Sequence, residues 1–449
     1  MSGGNLQAVE GVALTALVVG YVLWWLVRRL TRSRPDLRIG APIAIGFGLR
    51  MAAIAGIGLT GLSTTLRGGD ETTFLNLAHH LAQQPFGRGW LPHGQYELHV
   101  VLFAAENRLG LTVGAMRIVQ VGIALTGVIL ILAAVHDLAG GRAARLAAWL
   151  MAFEPASIFF NSALHKEPNM ELAAGLVVFG GTMVWRRLDV RGLLLFALAG
   201  LIAVWTRSYA GWFLVSASVF ILLHASLRSL NRPLRAMPVI YGLLIAVALV
   251  TPTLLAATSG KNLRALQQTQ NAEANAIGTG SGGPNTDNLK DEQVDFSSRG
   301  KVLVNLPKRI RDLLLKPYPW QLSDTNQRFG AIGTLVAYAL LALLFIYGWE
   351  SRGKIFPRAG PVLYPMLFLL VAYSLAAGNA GTGFRYRTHL VTLAIAAVAI
   401  LREEALLARA RRRKIAGAIS APGAVSSPLG APARLTQATG GDEPLSASP

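Results

Sequence analysis

Residues 111–135 read LTVGAMRIVQVGIALTGVILILAAV, and this stretch decides the fold. Its only charged residue is Arg117. An apolar run of about 17–25 residues is long enough to cross the hydrocarbon core of a bilayer as a helix. Ten more stretches share the pattern, at about 8–27, 41–62, 144–161, 168–185, 191–206, 208–224, 236–257, 329–348, 360–377 and 387–401. The expected fold is therefore all-α, a polytopic transmembrane bundle of about 11 spans.

Composition points the same way. Of 449 residues, 53% are hydrophobic and only 14% are charged, well below the quarter usual in soluble domains. Mean hydropathy is +0.45. The net charge of +19 would suggest nucleic acid in a soluble protein. Here the basic residues flank apolar runs and read as topology signals, so no nucleic-acid partner is expected. The chain has no cysteine, which excludes disulfides, thiolate nucleophiles and Cys-ligated metals. The start, MSGGNLQAVE, lacks a basic region before the first span, so that span is expected to be retained.

Basic residues concentrate in one set of alternating loops: RRLTRSRPDLR (28–38), GRAAR (141–145), WRRLDVR (185–191), LRSLNRPLR (227–235), SRGKIFPR (351–358) and LREEALLARARRRK (401–414). The short loops of the other set hold only Lys166, Arg207, Arg385 and Arg387. The positive-inside rule makes the first set cytoplasmic. The expected product is a multi-pass plasma-membrane protein with its N-terminus outside and its C-terminus in the cytoplasm. Residues 1–414 form the bundle, with external loops 63–110 and 258–328. Residues 415–449, rich in Ala, Pro, Gly and Ser, read as a disordered cytoplasmic tail.

The polar clusters that are not topology signals all fall on the external side. In RGGDETTFLNLAHHLAQQ (67–84), Phe74, Leu77, Ala78 and Leu81 make one apolar helical face, as in a helix lying flat on the membrane. Asp70 reads either as a helix cap beside Glu71 or as a general base at the water boundary. His79 and His80, adjacent on a helix, point apart and argue against a metal pair. Trp90 and Tyr96 suit the membrane interface, and Glu97 and His99 are weaker site candidates. NSALHKEPN (161–169) places His165, Lys166 and Glu167 together; they read as a local pair at a helix start or as a site for phosphate or sugar. WTRSYAGWF (205–213) holds Arg207 with almost no loop around it, beside Trp205, Tyr209 and Trp212, which also suit interface anchoring. In AAGNAGTGFRYRTHL (376–390), extended backbone would point Arg385 and Arg387 the same way across Tyr386, after a glycine-rich turn suited to anions. A tight turn followed by snorkelling arginines fits the same residues. Within 258–328, NAEANAIGTGSGGPNTDNLKDEQ reads as flexible, whereas GKVLVNLPKRIRDLLLKPYPW is basic and amphipathic.

A GDE motif in the first large external loop, followed by a helix, resembles the C-type glycosyltransferases. That superfamily includes protein O-mannosyltransferases and lipid-linked arabinosyl- or mannosyltransferases. LHKEP resembles the position of a second acid in the same enzymes. The resemblance implies an outward-facing site, a polyprenyl-phosphate sugar donor and a catalytic acid at Asp70. It also implies inverting transfer of a hexosyl or pentosyl group to a glycan or lipid acceptor. Glu71 and Glu167 complete the expected catalytic acids. Lys166, His165, Arg207, Tyr209, Arg385, Tyr386 and Arg387 form the expected phosphate- and substrate-binding set. No cofactor is expected; Asp70, Glu71 and Glu167 could hold a divalent metal through oxygen, but the chemistry does not demand one. Two rivals remain. One is a polysaccharide polymerase or ligase using undecaprenyl-diphosphate-linked glycans. The other is a lipid or sugar transporter (flippase), whose sites usually lie at the midplane on broken helices.

Overall fold

The computed structural model describes residues 3–60, 70–228, 237, 239–245, 247–248, 251, 259–276, 294–318, 320, 325–378 and 380–420. Most of these residues are helical, and no strand occurs among them. In chain order the helices are α1 (Gly3–Arg32), α2 (Gly40–Thr60), α3 (Asp70–Ala82), α4 (Leu98–Arg108), α5 (Val113–Ala139), α6 (Gly141–Ala152) and α7 (Pro155–Asn161). They continue with α8 (Glu167–Arg187), α9 (Arg191–Thr206), α10 (Ser208–Arg228), α11 (Gly260–Ala276), α12 (Arg299–Leu315), α13 (Thr325–Glu350), α14 (Ile355–Ala376) and α15 (Ala380–Ser420). Residues 1–405 form one compact unit. Helix α15 runs past the expected boundary at 415, and the rest of the proposed tail lies outside the described residues.

Among the described residues, six helices are long and apolar enough to cross a membrane: Val9–Arg32, Gly40–Ile57, Val113–Ala139, Ser208–Arg228, Ile332–Glu350 and Ile355–Ala376. The expected span at 144–161 is instead two helices, α6 and α7, bent by 62°. Pro155 explains the break. A proline disfavours helical geometry in the residue before it and donates no backbone hydrogen bond. Glu154 then caps the new helix by accepting from the amides of Ala156, at 3.1 Å, and Ser157. Helix α9 is apolar but short, at 16 residues. Helix α8 has 21 residues, enough to span, but bears Glu167, Asn169 and Glu171 in its first turns. The expected span at 236–257 falls largely outside the described residues.

Small residues set how closely these helices pack. A Cβ on Gly127 of α5 would lie 2.4 Å from the backbone oxygen of Glu171, and one on Gly175 of α8 would lie 2.4 Å from that of Gly127. The backbones of α5 and α8 therefore touch, as glycine permits in membrane bundles. The core of the bundle is aliphatic, built on Val121, Leu125, Ile129, Leu132, Met170 and Val177 among others.

A second, smaller core sits under the α3–α4 hairpin and includes Ala78, Leu81, Trp90, Phe103 and Leu164. The apolar face of α3 packs against α4, and Trp90 is buried in the same cluster. Phe86 and Arg108 pack on the Trp90 ring. The basic amphipathic segment does form a helix, α12, with Leu303 and Val304 exposed. The segment read as flexible is helical in its first part, to Ala276, and its residues 277–293 lie outside the described residues.

Candidate functional site

Three helix starts and one linker meet at one end of the bundle. Asp70 opens α3, with Glu71 beside it; acids in a first turn are favoured by the helix dipole. Glu167 opens α8, after the tight turn that carries His165 and Lys166. Arg207 is the single residue between α9 and α10, its backbone extended at φ −157° and ψ 84°. Arg385 lies in the second turn of α15.

The side chains converge on Glu167, which is fully buried. Arg385 donates from Nε to Glu167 Oε1 at 3.3 Å and from Nη1 to Asp70 Oδ2 at 2.6 Å. Arg207 donates from Nη2 to the same Glu167 Oε1 at 3.2 Å. His165 Nδ1 lies 3.5 Å from Arg385 Nη2. Behind this, Arg207 sits 4.5 Å from the centre of the Tyr386 ring, which stacks on Tyr373 at 4.8 Å. His389 ties the layer together, with Nδ1 3.1 Å from the Tyr373 hydroxyl and Nε2 3.1 Å from the Glu167 carbonyl oxygen. Tyr209 lies further out, its ring 6.4 Å from Tyr386.

The cluster is graded from inside to outside. Glu167 is inaccessible and Arg207 nearly so, whereas the Asp70 side chain is 52% exposed. A buried carboxylate held by two guanidiniums is costly to break, because removing one partner strands the others out of water. The Asp70–Arg385 pair stands at the solvent edge, where an ion pair contributes less. Burial, reinforced by the charge of Arg385, pushes His165 down to about 4, so its ring is neutral at pH 7. Burial also lowers the Lys166 ammonium below its usual value.

Other expected site residues go elsewhere. Glu71 pairs with Arg117 of α5 at 2.8 Å, because neighbours on a helix point about 100° apart. Lys166 pairs with Glu97 and lies 5.5 Å from the Phe74 ring, at the edge of the α3–α4 hairpin. Next to it His99 is buried, and burial together with the Lys166 charge holds it well below the ordinary imidazole range. Arg387 leaves the cluster altogether. It donates to the Lys316 carbonyl at 2.6 Å, to the Leu314 carbonyl at 3.1 Å and to the Thr334 hydroxyl at 3.3 Å. Extended backbone would have aimed Arg385 and Arg387 together, but the segment is helical from Ala380, and residues two apart on a helix face nearly opposite ways.

Sequence reading passed over His389, Tyr373 and the carboxylates Glu154 and Glu171, all within runs treated as apolar. Among the described residues no three His, Asp or Glu side chains are grouped to hold a metal ion. Asp70, Glu71 and Glu167 are instead each engaged by arginine.

Fold and site together define an all-helical protein, with several helices able to span a membrane, that gathers an exposed acid, a buried acid and two arginines at one end. Comparison with known proteins finds no family model, no curated protein and no solved structure that matches this chain.

Proposed function

We propose that this chain is a membrane glycosyltransferase that moves a sugar from a polyprenyl-phosphate donor to a glycan or lipid acceptor on the external face of the plasma membrane. The full complement of eleven spans, the external N-terminus and the cytoplasmic C-terminus belong to this proposal. One observation carries it: Arg385 touches both the exposed Asp70 and the buried Glu167, with Arg207 on the same carboxylate. A transferase of this kind needs a base and a phosphate-binding cation within one sugar's reach of each other.

The chemistry follows from that adjacency. Donor phosphate competes with Asp70 for the Arg385 guanidinium, and charge-assisted contacts to phosphate favour the exchange. Asp70, released, takes the proton of the acceptor hydroxyl as its oxygen bonds to the anomeric carbon. The bond from that carbon to the phosphate oxygen breaks on the opposite face, so configuration inverts. Polyprenyl phosphate leaves with its charge on Arg385 and Arg207. Glu167 takes no proton in this scheme; it holds the two arginines in place.

Asp70→Asn should reduce sugar transfer by about two to four orders of magnitude, the usual loss for a general base. Folding and lipid-phosphate binding should survive. The assay is transfer from a radiolabelled polyprenyl-phosphate sugar in membranes. Turnover close to wild type would reduce Asp70 to a helix cap.

A transporter reading has one observation in its favour. The α6–α7 break lies beside buried Arg50, which donates to Ser157 of α7 at 2.7 Å. Movement of the intact lipid-linked sugar across vesicles, without covalent transfer, would select that reading.

A further inference from the structure

Below the Glu167 cluster lies a second polar group that the transfer chemistry does not use. Glu171 is on α8, four residues after Glu167 and therefore about 6 Å further along the axis, on the same face. Its side chain is buried, at 1% exposure, and among the described residues neither carboxyl oxygen makes a well-formed hydrogen bond. An ionised carboxylate in that position would bear a very large desolvation cost, far more than such a site tolerates without a partner.

The charges around it do not supply one. The charged groups that act on Glu171 are Arg50 of α2 and Glu154, the cap of α7. Arg50 is fully buried, with Nη1 on the Gly46 carbonyl at 2.9 Å and Nη2 on the Ser157 hydroxyl at 2.7 Å, while its Nε has no hydrogen-bond partner among the described residues. Glu154 binds the amides of Ala156 and Ser157 at the same helix start. The two charges act on Glu171 in opposite directions. Arg387 acts on Glu154 and not on Glu171. Glu167, one turn above, is already matched by Arg207 and Arg385.

The polar side chain facing Glu171 is Thr392 of α15. Its hydroxyl donates to the Thr388 carbonyl at 3.2 Å. Shared between that carbonyl and Glu171, the Thr392 hydroxyl is a divided donor for a carboxylate, and its oxygen has lone pairs to accept from a carboxylic acid. A carboxylate there would have one divided hydroxyl donor for two oxygens, whereas a carboxylic acid would donate to the Thr392 oxygen.

We propose that Glu171 is an intramembrane proton-binding site, occupied at neutral pH, with its acid proton directed at the Thr392 hydroxyl oxygen. Arg50 of α2 and Glu154 at the helix break set its charge environment. The site is independent of the transferase reading. It would serve equally a protein that transfers sugars or one that moves them.

Infrared spectroscopy of the full-length protein in lipid tests this. At pH 7 the wild type should show absorption from neutral carboxyl groups that shifts in D2O. Glu171→Gln should remove one component of that band and leave the melting temperature unchanged, because the amide matches the neutral acid in shape. Glu106→Gln is the control. Glu106, on α4 and pushed up to about 8 by burial, should account for a different component. Three results would overturn the proposal. One is a carboxyl band unchanged by Glu171→Gln. Another is a Glu171→Gln chain that does not fold. The third is a wild-type melting temperature that rises with sodium in a manner lost in Glu171→Gln, which would assign the site to a metal cation.

Discussion

Glu167 and Glu171 stand one helical turn apart on α8, equally buried, yet their surroundings are opposite. Glu167 has two guanidiniums within 3.3 Å, whereas among the described residues neither oxygen of Glu171 makes a well-formed hydrogen bond. The difference comes from the chains that pack beside them. Arg207 and Arg385 are brought to the upper acid by the α9–α10 link and by the start of α15, and those elements supply only Thr392 to the lower one. Burial of an acid therefore says little until its partners are known. The upper acid is an anchor for cations, and the lower one behaves as a neutral acid.

Removing the charge of each acid separates them most sharply. Glu167→Gln leaves buried Arg207 and partly buried Arg385 without their shared anion and should destabilise the protein by about 3–5 kcal/mol, read as a large fall in melting temperature in detergent. Glu171→Gln should change it little. Equal losses in the two variants would mean that Glu171 is ionised in the folded protein.

A pH titration sharpens the same contrast. His165, beside Arg385, is held near 4 when folded, against 6.5 for an ordinary imidazole. A base depressed by folding binds its proton more readily when the chain unfolds. Stability is therefore intact above about 6.5, falls as pH drops from there towards 4, and levels off below. The total is about 3 kcal/mol. Thermal melts of wild type and His165→Gln across that window should diverge, the variant losing this part of the dependence. Parallel curves would place the acid sensitivity elsewhere.

Much of this end of the protein is legible in the sequence. Asp70, Glu167, Arg207 and Arg385 stand out as polar groups at the ends of apolar runs, all in loops of one alternating set, and the structure brings those four together. What sequence hides is direction. Arg385 and Arg387 look equivalent around Tyr386 until the backbone between them is known to be helical, which turns them apart. Glu71 looks like the twin of Asp70, but one residue of helix rotates it towards Arg117. Lys166 lies next to Glu167 in sequence and yet pairs with Glu97, because the α3–α4 hairpin folds over it. The break at Pro155 is visible as a proline, but the Glu154 cap and its proximity to Arg50 need the tertiary fold. Glu171 is hidden for the same reason: a single acid in an apolar helix gives no local sign of whether a cation will arrive.

The divergence of Arg385 and Arg387 gives the most direct test of the central claim, that the Asp70–Arg385–Glu167 cluster binds a lipid phosphate. Binding of undecaprenyl phosphate to the purified protein can be followed by tryptophan fluorescence in Arg385→Ala and Arg387→Ala. The account expects Arg385→Ala to weaken binding about tenfold to a hundredfold, the worth of a charge-assisted contact. Arg387→Ala should bind as wild type does, since its guanidinium is spent on carbonyls of Leu314 and Lys316. Unchanged binding in Arg385→Ala, or an equal loss in both variants, would contradict it.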